Sequence, residues 1–443
     1  MGAITRGDLI IGVLGLGWMG LPTAGLFIEA GARVIGADVS PQIVEQLKLG
    51  KSHVDEPNLQ SIIATHTGKR FTATTDARQT AADSDVILVI VPTSIDGLRK
   101  PDYSVVEKAC KEVARGMRQG CLVIVESTVG PGVTEGIVKR TLERGSGFKV
   151  GADFYLAYSP IRAMAGSVMR DIASYPKIVG GFDEKSANAA AAVFAKIAKG
   201  GIVRVKNLKT AETVKLFENT YRDVNIAVAT ELALFCEEAG LDFAEIREAA
   251  VSQPYCHLHV PRVGVGGHCI PYNPHFLLAE AEAINVDLRL VKGARKINDS
   301  MPSHIVDMVA RGLKVCRKSL KRSKVAVMGV SYRANVKETS NSPSLTIIEA
   351  LTKRGADVRV YDPLYSAAEL KEIGLHATES VERAIEGADC ILVAVGHDQF
   401  KRLRVADFAR LVKKPACMVD GWRIFDAEEV RENRLIYCGV GLG

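Results

Sequence analysis

The chain has 443 residues, 47% of them hydrophobic and 24% charged, with a formal net charge of +6. That length supports two or three domains with their own cores, and the composition excludes a disordered or fibrous protein. The basic excess sits in short clusters such as Arg317-Lys318 and Lys321-Arg322 without interleaved aromatics, so no nucleic-acid partner is expected. Nine cysteines, odd in number and without a C-x-x-C pair, fit reduced thiols in a cytoplasmic setting.

Leu9 to Ile28 is uncharged and long enough to span a bilayer. Its glycines and Pro22 suit a strand, a turn and a helix better, so no membrane partner is expected. Leu9–Leu14 reads as the strand, Gly15-Leu16-Gly17-Trp18-Met19-Gly20 as the turn and Leu21–Ala30 as the helix; Arg33–Ala37 is the next strand, ending at Asp38. A G-x-G-x-x-G turn between strand and helix, with an acid about 20 residues on, is the dinucleotide fingerprint. Gly15 allows the turn, Gly17 admits a pyrophosphate, and Gly20 lets helix and strand close up; Trp18 and Met19 lie in the same cofactor loop. Asp38 accepts hydrogen bonds from a ribose diol and repels a 2′-phosphate, which favours NAD over NADP.

Further strands are expected at Asp85–Val91, ending in Pro92-Thr93-Ser94, and at Leu122–Val125, ending in Glu126-Ser127-Thr128. Ligands bind at the carboxyl ends of parallel strands, so Thr93 and Thr128 are candidates to touch cofactor or substrate, unless they serve only as helix caps. Asp153–Ala157 leads into Ser159-Pro160-Ile161-Arg162, and Lys177–Gly180 is expected at the sheet edge. Thr210–Ala239 reads as one long helix closed by Gly240. On it Lys215, Asn219 and Arg222 share a face, as a solvated stripe or as a cluster aimed into a cleft.

Gly264, Gly266 and Gly267 deliver His268 and Cys269 just ahead of a helix expected at Pro274–Glu280. A thiol near helix N-terminal dipoles and beside a histidine is set up as a nucleophile; a buried turn cysteine is the plain alternative. Cys256, His257, His259, His268 and Cys269 are zinc-binding types, but their spacing matches no zinc signature, and no metal is expected. Val286–Val315 is a second long helical stretch, punctuated at Met301-Pro302. From Ser323 strand-helix alternation resumes, with strands at Lys324–Val330, Asp357–Asp362 and Asp389–Val395. Gly329-Val330-Ser331-Tyr332 lacks the spaced glycines, so this second Rossmann-like domain is not built for NAD. The fold class expected is α/β: two Rossmann-like parallel-sheet domains joined by a long-helix module, divided at 1–206, 207–318 and 319–443.

In combination, the fingerprint with Leu21-Pro22-Thr23-Ala24, Glu126-Ser127-Thr128, Lys215-Leu216-Phe217-Glu218-Asn219, Gly266-Gly267-His268-Cys269 and Ser342-Pro343 resembles the UDP-glucose/GDP-mannose dehydrogenase family over nearly the whole chain. The resemblance implies an NAD domain, a helical middle that forms a homodimer, a C-terminal UDP-binding domain, and four-electron oxidation of a nucleotide-sugar C6 alcohol to a carboxylate. It implies Cys269 as the nucleophile, through a thiohemiacetal and a thioester, and Lys215 as the acid/base. Asn219 and Thr128 then orient oxyanion and water. Arg162, Ala163, Lys215, Asn219, Arg222, Arg262, Gly264, Tyr332 and Arg333 contact the UDP-sugar, Arg333 standing where a lysine is usual.

The His-Cys-Ile-Pro loop resembles the branch acting on UDP-N-acetylhexosamines, above all UDP-N-acetylmannosamine. UDP-N-acetylglucosamine and UDP-glucose are the alternatives, as is a nucleotide-sugar-binding relative without turnover. Two-electron hydroxyacid dehydrogenases share an NAD domain and a helical lysine but need no cysteine and lack the second Rossmann-like domain. The chain departs from the family pattern at Asn273 (an aspartate is usual), Ile161 (a glutamate), Ser340 (an arginine) and Trp422 (another arginine is usual nearby; Arg423 is adjacent).

Overall fold

The protein is represented by a computed structural model that describes residues 9–164 and 166–443. The first eight residues of the expected 1–206 domain lie outside the described residues. The described chain forms two compact units. One runs to Glu218 and includes His275–Val286; the other comprises Asn219–Pro274 and Asp287–Gly443.

The uncharged stretch from Leu9 divides into β1 (Ile10–Leu14) and α1 (Gly20–Glu29), and no described helix is long and apolar enough to cross a membrane. The sheet of the first unit continues with β2 (Arg33–Ala37), β3 (Phe71–Thr74), β4 (Val86–Val89), β5 (Leu122–Val125), β6 (Tyr155–Tyr158), β7 (Lys177–Gly181) and β8 (Ile202–Arg204). Its order is β8-β7-β6-β5-β4-β1-β2-β3. The run from β3 to β6 is the 3-2-1-4-5-6 order of a dinucleotide fold, whose ligand crevice opens where the order reverses, between β1 and β4. β4 and β5 are buried at every residue, as strands covered on both faces must be. β7 runs antiparallel to β6 and is itself flanked by β8, so Lys177–Gly181 is not the edge strand expected from the sequence. Three-residue β8 takes that place, too short to show a pattern.

The second unit holds a five-stranded parallel sheet: β9 (Lys324–Met328), β10 (Asp357–Tyr361), β11 (Cys390–Val393), β12 (Cys417–Asp420) and β13 (Ile436–Gly439), in the order β10-β9-β11-β12-β13. This 2-1-3-4-5 arrangement is also doubly wound, with its switch point between β9 and β11.

Both sheets repeat one turn. Gly15 N–H donates to the Ala37 carbonyl at 2.8 Å and Leu16 N–H to Asp38 at 2.9 Å; Gly329 N–H donates to Tyr361 at 2.8 Å and Val330 N–H to Asp362 at 2.8 Å. Gly15 has φ +92°, and a Cβ there would lie 2.3 Å from the Ile90 carbonyl, so only glycine fits. The aspartates differ. Asp38 is half-buried at the crevice, whereas Asp362 is fully buried beneath His397, 3.2 Å away. His397 Nδ1 accepts the Asn335 N–H at 3.0 Å, so Nε2 carries the proton toward Asp362. Asp362 is thus closed to a ribose diol, unlike Asp38.

Helix α2 (Leu208–Ala239) is unbroken and ends before Gly240, whose φ of +70° closes it. Its start belongs to the first unit because Leu208 and Ala211 are buried in that core. The remainder of the helix belongs to the second unit. α3 spans Asn273–Ala283 and α4 spans Arg289–Val315. Pro302 does not interrupt α4, because Met301, Ile305, Met308, Val309 and Leu313 pack into the core of the second unit. Such burial, at about 1.5–3 kcal/mol per side chain, outweighs the roughly 3 kcal/mol penalty of an interior proline.

Candidate functional site

In the first unit, the fingerprint loop suits a dinucleotide. A Cβ on Gly17 would meet nothing within 4 Å, so the main chain is open to a ligand there. A Cβ on Gly20 would lie 1.8 Å from the Gly15 carbonyl, so this glycine lets the loop close on itself, while Val13 on β1 lies 3.7 Å off. Trp18 is exposed and Met19 half-buried. In the first turn of α1, Leu21 and Thr23 N–H bond the Gly17 and Met19 carbonyls and Pro22 has no N–H, so it is the open main chain at Gly17 and the dipole at the helix start that fit a pyrophosphate.

Asp38 is held by the N–H groups of Leu16 and Ser40, each at 2.9 Å, which leaves lone pairs for a ribose diol. His53 lies beside it, its ionisation depressed mainly by burial; no motif marked this residue in the sequence. Asp38→Asn keeps an acceptor for Leu16 but removes the charge. It is expected to raise the NAD Kd roughly tenfold and to erode the preference over NADP, by calorimetry; an unchanged ratio would contradict the assignment.

Ser127 joins the ends of β4 and β5: its Oγ accepts from Val91 N–H at 2.9 Å and donates to the Val91 carbonyl at 2.7 Å. Half-buried Thr93 and Thr128 follow on these two loops. Beneath Thr128, Glu126 makes a buried ion pair with Lys177, which also lies 4.4 Å from the Phe194 ring centre. Burial raises the Glu126 pKa, and Lys177 opposes the rise.

Glu212, on α2, is fully buried and accepts from Thr134 N–H at 2.7 Å and from Gly132 N–H. This ties the loop after Thr128 to the helix that carries Lys215. Burial pushes the Glu212 pKa from 4.5 up to about 7. A carboxyl raised on folding stabilises fully below its unfolded pKa and loses that contribution as pH rises through the folded value, here about 3 kcal/mol lost between about pH 4.5 and 7. Glu212→Gln is therefore expected to gain several degrees in Tm relative to the parent at pH 8 compared with pH 5. A pH-independent difference between the two proteins would contradict this.

Lys215 is buried and its Nζ donates to the Ile161 carbonyl at 2.6 Å. Ile161 offers only that carbonyl, because its side chain belongs to the apolar core. Ala163 packs against the same core. Arg162 is held in a fork by Glu218, Nε at 3.1 Å and Nη2 at 2.6 Å, and donates to Pro176 at 3.0 Å. An anionic substrate has to compete with Glu218 for this arginine.

In the second unit, Cys269 is the only exposed cysteine among the described residues. Its carbonyl accepts from Asn273 N–H at 2.9 Å, placing it at the start of α3. His268 is paired with Glu338 at 2.6 Å, a contact that favours the imidazolium and raises the His268 pKa. A Cβ on Gly267, φ +87°, would lie 2.8 Å from the Tyr332 ring, and one on Gly264 3.0 Å from Pro343, so Gly264 serves close packing.

Tyr332 feels the charges of Glu338, Arg333, Cys269 and Arg222, while burial is the main cause of its raised pKa. These predicted residues are therefore gathered in one neighbourhood. Arg222 and Arg333 are exposed. Asn219 and Asn273 are buried, and their Nδ2 groups lack a protein hydrogen-bond partner among the described residues. Buried amides without partners are rare, and such donors fit a ligand or water oxygen.

Arg262 stacks on Trp422 at 4.3 Å and donates to its carbonyl at 2.9 Å; burial lowers its pKa to about 10, so it stays charged at neutral pH. Trp422 thus holds an arginine supplied from elsewhere in the chain. Arg423 does not fill the vacated position, since Asp242 holds it in a fork at 3.1 and 2.8 Å.

Comparison with known proteins gives the family. Residues 9–198 match the NAD binding domain of the UDP-glucose/GDP-mannose dehydrogenase family, 209–300 its central domain and 326–427 its UDP binding domain. The chain is 35% identical to a UDP-N-acetyl-D-mannosamine dehydrogenase of Pyrococcus horikoshii, over 98% of this chain and 99% of the relative. A solved structure titled as that organism's UDP-D-ManNAc dehydrogenase superposes with a TM-score of 0.90 at 34% identity, covering 98% and 100% of the two chains. A UDP-glucose dehydrogenase from Pyrobaculum islandicum gives 0.87 at 27% identity, covering 98% of each. With NAD as its cofactor, the chain belongs to the UDP-glucose/GDP-mannose dehydrogenase family.

Proposed function

We propose that the protein oxidises the C6 alcohol of UDP-N-acetyl-D-mannosamine to the uronate, with Cys269 as covalent nucleophile. The observation that carries the reading is the exposed thiol of Cys269, at a helix start, in the neighbourhood of Tyr332, Arg222 and Arg333. The substrate assignment is supported by the His-Cys-Ile-Pro loop and by the names of the curated relatives.

Two NAD molecules, bound in turn, would each take up one of the two hydrides that a four-electron oxidation releases. The fingerprint loop and Asp38 hold the cofactor, with Thr93 and Thr128 alongside. Lys215 takes the hydroxyl proton and steadies the alkoxide, while Arg162, Ala163, Arg222, Arg262, Gly264, Tyr332 and Arg333 bind the nucleotide sugar. At the aldehyde stage the sulfur of Cys269 bonds to C6 and the carbonyl oxygen takes a proton, stabilised by Asn219. Oxidation of that adduct leaves a thioester. Water adds to C6, the C–S bond breaks, and the carboxylate leaves with the thiol restored. Neither Asn273 nor Ile161 can act as a base for that water, so Lys215 takes the role, with Thr128 and Asn273 orienting the water.

We further propose a cytoplasmic homodimer, supported by nine unpaired cysteines and by an apolar stripe on α2, Tyr221, Val228, Leu232 and Phe235, all exposed in the single chain. The test of function is NAD reduction with UDP-N-acetylmannosamine, UDP-N-acetylglucosamine and UDP-glucose, with products identified by mass. About two NADH per uronate from the first sugar is the expected result. Binding without NADH formation from any of them would replace this reading with that of a nucleotide-sugar-binding protein.

A further inference from the structure

The segment from Tyr332 to Pro343 meets the cysteine loop at several points. Glu338 stands at the junction. Its main-chain carbonyl accepts from Tyr332 N–H at 2.9 Å, closing the loop that presents Tyr332 and Arg333. Its side chain pairs with His268, the neighbour of Cys269, at 2.6 Å. Two residues on, the Ser340 carbonyl accepts from Gly267 N–H at 3.0 Å.

Asn341 then holds the loop from both sides. Its Nδ2 donates to the Gly267 carbonyl at 3.1 Å, and its Oδ1 accepts from Tyr272 O–H at 2.9 Å. Cys269 lies between those two anchors in the chain. The backbone of Asn341 sits at φ +49°, a region asparagine tolerates better than most residues. Side chains are excluded from the contact: a Cβ on Gly266 would lie 2.8 Å from the Asn341 carbonyl and 2.8 Å from Tyr332 Cβ. An arginine is usual at Ser340; here the carbonyl at that position accepts from Gly267 N–H and the side chain hydrogen-bonds Glu338.

We propose that Glu338 and Asn341 are positioning residues that fasten the Cys269 loop to the Tyr332–Arg333 loop, so that a nucleotide diphosphate held by the latter sets the placement of the thiol. The inference rests on the reading of Cys269 as nucleophile and of this unit as the nucleotide-binding one. Neither residue touches the reacting carbon. Their effect is to make nucleotide occupancy and thiol placement a single event.

The test uses UDP, which carries no sugar to cover the thiol, and follows alkylation of Cys269 by iodoacetamide with peptide mass spectrometry. In the parent, saturating UDP should change the alkylation rate by at least about fivefold. Asn341→Gly keeps the positive φ and deletes both side-chain anchors; Asn341→Asp deletes only the donor; Glu338→Gln removes the charge from the His268 pair. In these variants the UDP effect should fall below about twofold, with the UDP Kd, by calorimetry, within about threefold of the parent. Turnover should drop through kcat, with KM for NAD unmoved.

A UDP effect that persists in Asn341→Gly and Glu338→Gln, or one absent from the parent although UDP binds, overturns the inference. Should Asn341→Gly lose Tm, Asn341→Asp carries the comparison. Cys269→Ala, assayed in parallel, separates the two levels: full uronate formation by that variant refutes the nucleophile itself, whereas its inactivity beside a fully active Asn341→Gly refutes only the positioning role.

Discussion

Cys269→Ser is expected to lower uronate formation by at least roughly 10³-fold, because an alcohol beside no dedicated base is a far weaker nucleophile than a thiol with access to its thiolate. In the proposed route the first oxidation does not involve the sulfur. A single-turnover measurement should therefore still register the two-electron step to the aldehyde while carboxylate is lost. That pattern distinguishes a missing nucleophile from a misfolded protein, in which both steps fail together. Uronate yield unchanged in Cys269→Ser would end the thioester route for this protein.

The second large effect is expected at Lys215. Its Nζ is buried and donates to the Ile161 carbonyl, which holds the amine in place. With Ile161 and Asn273 both unable to take a proton, no alternative base stands at either position. Lys215→Met, similar in length and unable to carry a proton, should cost about 10²–10⁴-fold in kcat, with little change in UDP affinity. Recovery of part of the lost rate by a small added amine would identify the missing proton carrier. A kcat within a few-fold of the parent would show that Lys215 serves only to hold the Ile161 loop.

The same two departures explain why this site needs a structural account and not only a motif. Ile161 is in the core of the first unit, so a carboxylate there would require burying a charge among apolar groups. Asn273 keeps the shape of the usual aspartate and adds a donor, Nδ2, that is buried without a partner among the described residues. A donor suited to a water or a ligand oxygen remains at this position, while an amide cannot serve as a base.

Much of the protein was legible from the amino-acid sequence, for reasons that lie in local chemistry. Leu122–Val125 was read to the residue because a strand buried on both faces is a short apolar run between polar ends, and Arg33–Ala37 because it lies between a glycine-containing turn and the acid at Asp38. The glycine spacing from Gly15 to Gly20, the acid at Asp38 and the cysteine after Gly267 are set by steric and charge requirements that few other residues meet. What tertiary structure alone decided concerns groups that meet across long sequence separations. Phe71–Thr74, Ile202–Arg204, Cys417–Asp420 and Ile436–Gly439 are too short to show a period, and only pairing with neighbours makes them strands. Pro302 breaks no helix because burial outweighs its penalty; the capture of Arg423 by Asp242 removes a charge that looked available from the chain alone, and Glu218 engages Arg162. A side chain's type is written in the sequence, but whether its charge is free depends on a partner dozens of residues away, and that is settled only when the chain has folded.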